Sequence, residues 1–353
     1  MNSQLIGGMF GLVEPSKINN QFPPFLKNDK ELFLANARSG INILAGLLKP
    51  RKIWMPSFLC DAMLKAVKNL DMHFYEVDSH LHISRSWVNT VESGELVVLI
   101  DYFGFPFDSS LAEDIKEHGG WVLEDASQAL LSSNERKLSD FVLFSPRKFL
   151  GVPDGGILRN YTSIDLSEIQ LKHPPSGWWL RTLNATILRR DFDLYGGERS
   201  WFKLFQETEA DSPVGPYAMS MLSKTLLEHS FDYSSIIQKR IENYQILDDH
   251  LNKFALFPKL PIGVVPLGYP IQLINRDQVR QILFDNNIYP PVHWPITDIV
   301  PKKFVESHRL ADTILTLVCD QRYNPTDMER IARIVLQETQ NGRTAKTIPK
   351  KPT

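Results

Sequence analysis

Cysteine is scarce: Cys60 and Cys319 are the only two in 353 residues. That leaves no disulfide scaffold and fits a reducing cytoplasm. No Cys/His cluster has the spacing of a zinc site. His80 and His82 stand beside Asp78, an arrangement that reads as a solvated turn rather than a metal pair, so no metal is expected. Net charge is scarce too. At -2 there is no global field to draw the chain to nucleic acid or anionic lipid. Long apolar runs are missing: stretches such as Leu96–Ile100 fall far short of a bilayer's thickness. The N-terminus lacks the basic-then-apolar pattern of a secretory signal, and no internal repeat stands out. What remains is 43% hydrophobic and 23% charged residues, the balance of a soluble globular protein. The length suffices for a large core, or for a large domain with a smaller one. A cytoplasmic protein without nucleic-acid or membrane partners is the expectation.

Residues 1–27 have no clear period and carry Pro15, Pro23 and Pro24, so they read as an extended arm. Its apolar side chains, among them Ile6, Phe10 and Phe25, need a surface to cover them, on a partner subunit or, as the alternative, on the chain's own domain. A first helix is expected near Gly40, with Ile41, Leu44, Ala45 and Leu48 on one face. Short apolar runs then alternate with helical segments: strands over 52–55, 72–77, 97–100, 121–123 and 141–144, helices over 60–69 and 109–118. That alternation predicts a mostly parallel sheet covered on both faces. After Leu158 the pattern weakens. Residues 178–250 read as helical and aromatic-rich. Strands at 271–274 and around Val318, and helices at 277–286 and 326–340, suggest a small C-terminal α+β domain. The division expected is an arm at 1–27, a large α/β domain at 28–214, a small domain at 215–340 and a disordered basic tail at 341–353.

Ligands of open parallel sheets sit beyond the carboxyl ends of the strands, and three segments put polar groups there. Ser39-Gly40 opens a helix, where amides and dipole favour an anion and glycine admits a phosphate; a plain N-cap serine is the competing reading. Glu124-Asp125-Ala126-Ser127-Gln128 follows a buried strand. A carboxylate there can keep a pyridine nitrogen protonated, and Gln128 can bond a ring oxygen; a helix-capping Asp also fits. Ser145-Pro146-Arg147-Lys148 follows the next strand and precedes Asp154-Gly155-Gly156. A lysine in a dry site loses its proton readily and can form a Schiff base, although a loop lysine is ordinarily solvated. Each segment is weak alone. Their order along one alternating domain points to a cofactor built from a phosphate and a pyridine ring.

These segments resemble the DegT/DnrJ/EryC1/StrS family of fold-type-I pyridoxal-phosphate (PLP) sugar aminotransferases. The likeness runs from about Ile6 to Leu336. Its carriers are Ile6-Gly7-Gly8-Met9-Phe10, Arg38-Ser39-Gly40-Ile41, Met55-Pro56-Ser57-Phe58-Leu59-Cys60 and Asp101-Tyr102-Phe103-Gly104, with the Asp125 and Lys148 segments. Towards the C-terminus, Ile288-Tyr289-Pro290-Pro291-Val292-His293-Trp294 and Ala311–Leu317 look like the family's small-domain signatures. The resemblance implies that Lys148 holds the cofactor, that Asp125 faces the pyridine nitrogen and that Gln128 lies near the ring hydroxyl. It places Ser39, Gly40 and Ser145 at the phosphate. Phe58 is favoured as the residue stacking on the ring, with ordinary core burial as the alternative. Three departures stand out: Ser145 precedes Lys148 by three residues where many members have five, Arg38 replaces a frequent small residue, and Asp154 replaces a frequent Glu.

The implied reaction moves an amino group from an amino acid, commonly glutamate, to a keto sugar, commonly nucleotide-linked, in amino-sugar or polysaccharide synthesis. The rivals are another PLP reaction such as sugar dehydration, whose family members typically lack the lysine, and a non-catalytic regulatory protein. His293, Trp294, Tyr195, Trp178 and Trp179 can line a sugar-nucleotide pocket or simply fill core and interface. A homodimer with shared sites is expected, partly from the family and partly from the apolar arm.

Overall fold

A computed structural model of the chain describes residues 4–14, 22–26, 31–133, 136 and 138–341. The expected basic tail, apart from Asn341, lies outside them, as do residues 1–3, 15–21 and 27 of the arm.

The chain opens with a short strand, β1 (Ile6–Gly7), then β2 (Glu31–Leu34) and helix α1 (Ala37–Leu48). Asn36, in extended backbone, caps α1 by accepting the Ser39 N–H at 3.1 Å. The helix therefore starts three residues before Gly40, because Asn is as good a cap as the serine weighed for that role. It ends at Lys49, in the left-handed region at φ 46°. Strand β3 (Lys52–Pro56), the short helix α2 (Asp61–Lys65), β4 (Asp71–Tyr75), β5 (Leu96–Ile100), α3 (Ser110–Glu117), β6 (Trp121–Asp125), β7 (Phe141–Phe144) and β8 (Gly156–Asn160) follow.

Strands β2 to β8 form one seven-stranded sheet in the order β2-β8-β7-β6-β5-β3-β4. Pairings among β3 to β7 are parallel, and only the β8 pairings are antiparallel. All five residues of β5 (Leu-Val-Val-Leu-Ile) are buried, as a central strand covered on both faces requires. The parallel strands deliver Asp101, Asp125 and Ser145 at one edge of the sheet. Between β3 and β5 the chain order turns back to β4, the kind of switch at which α/β sheets open a ligand crevice.

Beyond the sheet come α4 (Ser176–Tyr195) and α5 (Ser200–Ala210), packed against each other, then α6 (Met221–His229) and the long α7 (Tyr233–Leu251). Strand β9 (Tyr269–Gln272), helix α8 (Arg276–Asp285), β10 (Ile288–Tyr289), α9 (Val305–Thr313), β11 (Ile314–Leu317) and α10 (Pro325–Asn341) complete the chain. β9 and β11 make a separate antiparallel pair, against which α7 and α8 pack, with α10 packed on both of those helices. The architecture is therefore a large, mostly parallel α/β layer with a smaller α+β region. Both small-sheet strands end earlier than the apolar runs suggested. Ile274 is exposed, and Val318 lies beyond the last paired residue, Leu317.

The arm needs a correction. Its lack of period does not leave it without a surface in its own chain. Ile6 is fully buried by parallel pairing of β1 with β10. Phe25 and Leu26 are buried as well, with Phe25 edge-on to Tyr233 at 5.6 Å. A two-residue strand has no period to read, and its partner lies some 280 residues away. Phe22 remains exposed.

Candidate active site

A cavity of about 910 Å³ opens at the carboxyl edge of the sheet and reaches the β9/β11 region. Asp125, Gln128, Ser145 and Lys148 all line it.

Asp125 is the last residue of β6, and its nearly buried carboxylate accepts the Ser127 N–H at 2.9 Å. Gln128 is buried. Its Oε1 accepts the Phe103 N–H at 2.7 Å, and its Nε2 has no hydrogen-bond partner among the described residues. An unsatisfied buried amide nitrogen is costly, and Gln128 is one of the residues lining the cavity. Glu124 goes elsewhere, since neighbouring strand residues face opposite sides of a sheet. It joins Asp101 on the buried guanidinium of Arg136, which also donates to Ala129 O at 3.0 Å. Burial and the Asp101 charge push the Glu124 carboxyl above the usual carboxylate range, against the pull of Arg136. This triad braces the Asp125–Gln128 segment from behind. Arg136 escaped the sequence reading because nothing local links it to the strand ends.

Lys148 closes a short 3₁₀ turn, Pro146–Lys148, that springs from Ser145 at the end of β7. Proline at the first position suits such a turn because its missing N–H would be unpaired anyway. The Lys148 side chain has no hydrogen bond or ion pair among the described residues and is exposed to the cavity. The turn is anchored downstream. The fully buried carboxylate of Asp154 accepts Ser220 N at 2.8 Å and Ser220 Oγ at 2.6 Å, and also the Ser223 hydroxyl. Burial pushes its pKa up despite those bonds. Gly155 takes φ 147° and donates to Ala35 O at 2.9 Å. A Cβ on Gly156 would lie 2.3 Å from the Asn36 carbonyl carbon. The paired glycines thus bring the end of the Lys148 loop hard against the start of α1.

Three expected residues stand behind the cavity wall. Ser39 is fully buried, with Oγ 3.2 Å from Asn36 Oδ1. Gly40 faces Leu143, whose Cδ1 would lie 2.6 Å from an added Cβ, so its small size serves helix-on-sheet packing. Ala37 and Arg38 line the cavity instead. Phe58 is fully buried between Tyr102 and Trp294, with ring centroids 5.9 and 5.3 Å away. The same segment reaches the cavity through Cys60. Helical spacing around the shifted start of α1 accounts for the first two, and the inward turn after β3 for the third. Among the aromatics weighed for the pocket, Trp294 lines the cavity, Tyr195 is exposed and Trp178 is buried.

The opposite wall supplies His293, with Nδ1 2.9 Å from Thr316 Oγ1 on β11. Burial, helped by the Lys148 charge, pushes the imidazole pKa down to about 3, so the ring is neutral at physiological pH. Arg199 lies 4.1 Å from the centre of the Tyr289 ring, and Arg280 donates to Pro290 O at 3.2 Å. Neither has a carboxylate partner among the described residues.

The same fold is found in solved structures of aminotransferases. PseC from Helicobacter pylori, an aminotransferase involved in the biosynthesis of pseudoaminic acid, superposes with a TM-score of 0.67 at 15% identity, over 95% of this chain and 100% of that one. The aminotransferase TlmJ from Streptoalloteichus hindustanus gives 0.65 at 16%, over 89% and 87% of the two chains. A DegT DnrJ EryC1 StrS aminotransferase from Brucella abortus gives 0.61 at 15%, over 87% and 85%. No protein-family model matches the chain, and no curated protein matches it.

Proposed function

We propose that the chain is a PLP-dependent sugar aminotransferase of the DegT/DnrJ/EryC1/StrS kind, with Lys148 as the lysine that holds the cofactor. The observation that carries this reading is the convergence of Lys148, Asp125 and Gln128 on one cavity, with Lys148 unpaired and Gln128 Nε2 left without a partner among the described residues.

The residues present fit PLP. Gln128 Nε2 would donate to the ring oxygen. Asp125, at a strand end, would keep the ring nitrogen protonated, and Ser145 with the start of α1 would face the phosphate. When bound, the cofactor supplies an electron-withdrawing ring. Lys148 would hold it at rest, then move a proton between the donor or acceptor carbon and the cofactor carbon as base and acid. His293, kept neutral, would add a hydrogen-bonding partner to that wall without competing for the proton. The presence of Lys148 supports transfer over dehydration.

Glutamate is the proposed donor and a nucleotide-linked keto sugar the proposed acceptor. Arg199 and Arg280, free of carboxylate partners beside Tyr289, support an acceptor that carries negative charge. The proposed working unit is a homodimer. Leu180, Ile187 and Leu194 are exposed at seven-residue intervals on α4, an apolar stripe suited to a second copy. A panel of nucleotide-linked ketosugars offered with glutamate tests the activity: an aminated sugar together with 2-oxoglutarate is the expected product pair. Sugar consumed without nitrogen gained would overturn it.

A further inference from the structure

Arg38 is the residue at which this chain departs from the small side chain frequent in the family it resembles, and the structure gives that departure a place. It stands in the first turn of the twelve-residue helix α1 and lines the cavity. Its guanidinium reaches Glu209 on α5, with Nη2 3.5 Å from Oε2 and Nη1 3.5 Å from the backbone oxygen. Arg147, the neighbour of Lys148, reaches the same carboxylate, with Nη2 2.5 Å from Oε1. Both arginines and Glu209 line the cavity next to Ser145.

Two guanidiniums sharing one carboxylate leave a unit of positive charge over, before Lys148 and the positive end of the α1 dipole are added. Neither arginine makes a second ion pair among the described residues. Their donors are largely unspent. Arg147 Nε is buried without a partner among the described residues, and both Arg38 contacts are at the long limit of a hydrogen bond. Glu209 is held ionised: burial pushes its carboxyl up, but the charges of Arg147, Arg38 and Lys148 outweigh it and hold it below the usual range. The carboxylate therefore spaces the two cations without neutralising them both. A concave site with surplus positive charge, planar donors, a hydroxyl and a helix start is complementary to a phosphate dianion.

We propose that Arg38 and Arg147, bridged by Glu209, form a two-arginine clamp for the phosphate of the cofactor. This rests on the PLP reading above. It replaces the cup expected from Ser39 and Gly40, which stand behind the wall. It also gives a reason why a serine three residues before Lys148 suffices. Arg147, set next to Lys148, ties the phosphate to the reacting lysine, and Arg38 ties it to α1.

The test is binding rather than turnover. Full-length chain freed of cofactor is titrated with PLP and with pyridoxal, which lacks the phosphate, following absorbance and tryptophan fluorescence. Wild type should prefer PLP strongly. Arg38→Gln should weaken PLP about 10- to 100-fold, the worth of a charge-assisted pair, and leave pyridoxal binding unchanged. Arg38→Lys should lie between the two. Unchanged circular dichroism and melting temperature show that the variants fold. An unaltered PLP-to-pyridoxal ratio in folded Arg38→Gln would overturn the clamp while leaving the PLP reading intact. The clamp would equally fall if Arg38→Gln weakened only a nucleotide-linked sugar, since the arginine would then serve the acceptor's phosphates. Wild type that binds neither PLP nor pyridoxal would overturn both the clamp and the reading beneath it.

Discussion

The two ends of the Gln128 side-chain amide differ: its oxygen accepts the Phe103 N–H at 2.7 Å, and its buried nitrogen has no partner among the described residues. Phe103 itself sits at φ 57° in the turn after β5, so this one bond fixes the strand-end turn and leaves the amide nitrogen as the spare donor of a cavity-lining residue. The two halves can be separated. Gln128→Glu keeps an acceptor for Phe103 and loses the donor. It should retain most of the stability and weaken cofactor binding about tenfold, the worth of one lost hydrogen bond. Gln128→Leu also orphans the Phe103 N–H and should cost about 1–3 kcal/mol in denaturant melts. Equal stability of the two variants would contradict this division.

Asp125→Asn preserves an oxygen for the Ser127 N–H and removes the charge. The fold should survive, and turnover should fall on the order of 100-fold, since in the proposed reading the ring nitrogen would lose the carboxylate that keeps it protonated. A near-normal rate in a steady-state assay would refute the role.

His293 sets a pH dependence of stability. Its folded pKa, about 3, lies below the ordinary histidine value of about 6.5. Below 6.5 the unfolded chain takes up a proton that the folded chain refuses. The contribution is therefore fully present above about pH 6.5 and is lost as pH falls towards 3. Denaturant midpoints measured over that window should drop less steeply in His293→Gln than in wild type. Parallel curves would show that the fold does not hold the ring neutral.

Gly156 approaches the α1 start too closely for any side chain. The methyl of Gly156→Ala would meet the Asn36 backbone at 2.3 Å, and backbone cannot swing aside. We expect a loss of about 1–3 kcal/mol or more, with the Lys148 loop displaced. An unchanged midpoint would mean that β8 and α1 do not touch as described.

The exposed stripe on α4 gives the assembly its test. Light scattering should report a particle of two 40.4 kDa chains, and Ile187→Asp with Leu194→Asp should shift it towards monomer. A fully active monomer would sink the shared-site idea.

The sheet was legible because buried parallel strands write themselves as short apolar runs, Leu96–Ile100 above all, each followed by a polar residue at the ligand edge. That rule singled out Asp125, Gln128, Ser145 and Lys148 as candidates, and the structure brings them to one cavity. What was not legible depends on distance or register. A three-residue shift in the start of α1 moved Ser39 and Gly40 off the wall and put Arg38 on it. Glu209, Arg136 and Thr316 meet their partners only through the tertiary fold, and no local spacing announces them. The arm misled for the same reason: Ile6 pairs with Ile288, and a pairing across nearly the whole chain leaves no trace in either segment.

Borohydride reduction followed by peptide mapping tests the central claim most directly. Purified chain incubated with PLP should absorb in the visible and, once reduced, carry the cofactor on the peptide containing Lys148. Label on any other lysine, or none despite bound cofactor, would contradict the assignment of Lys148.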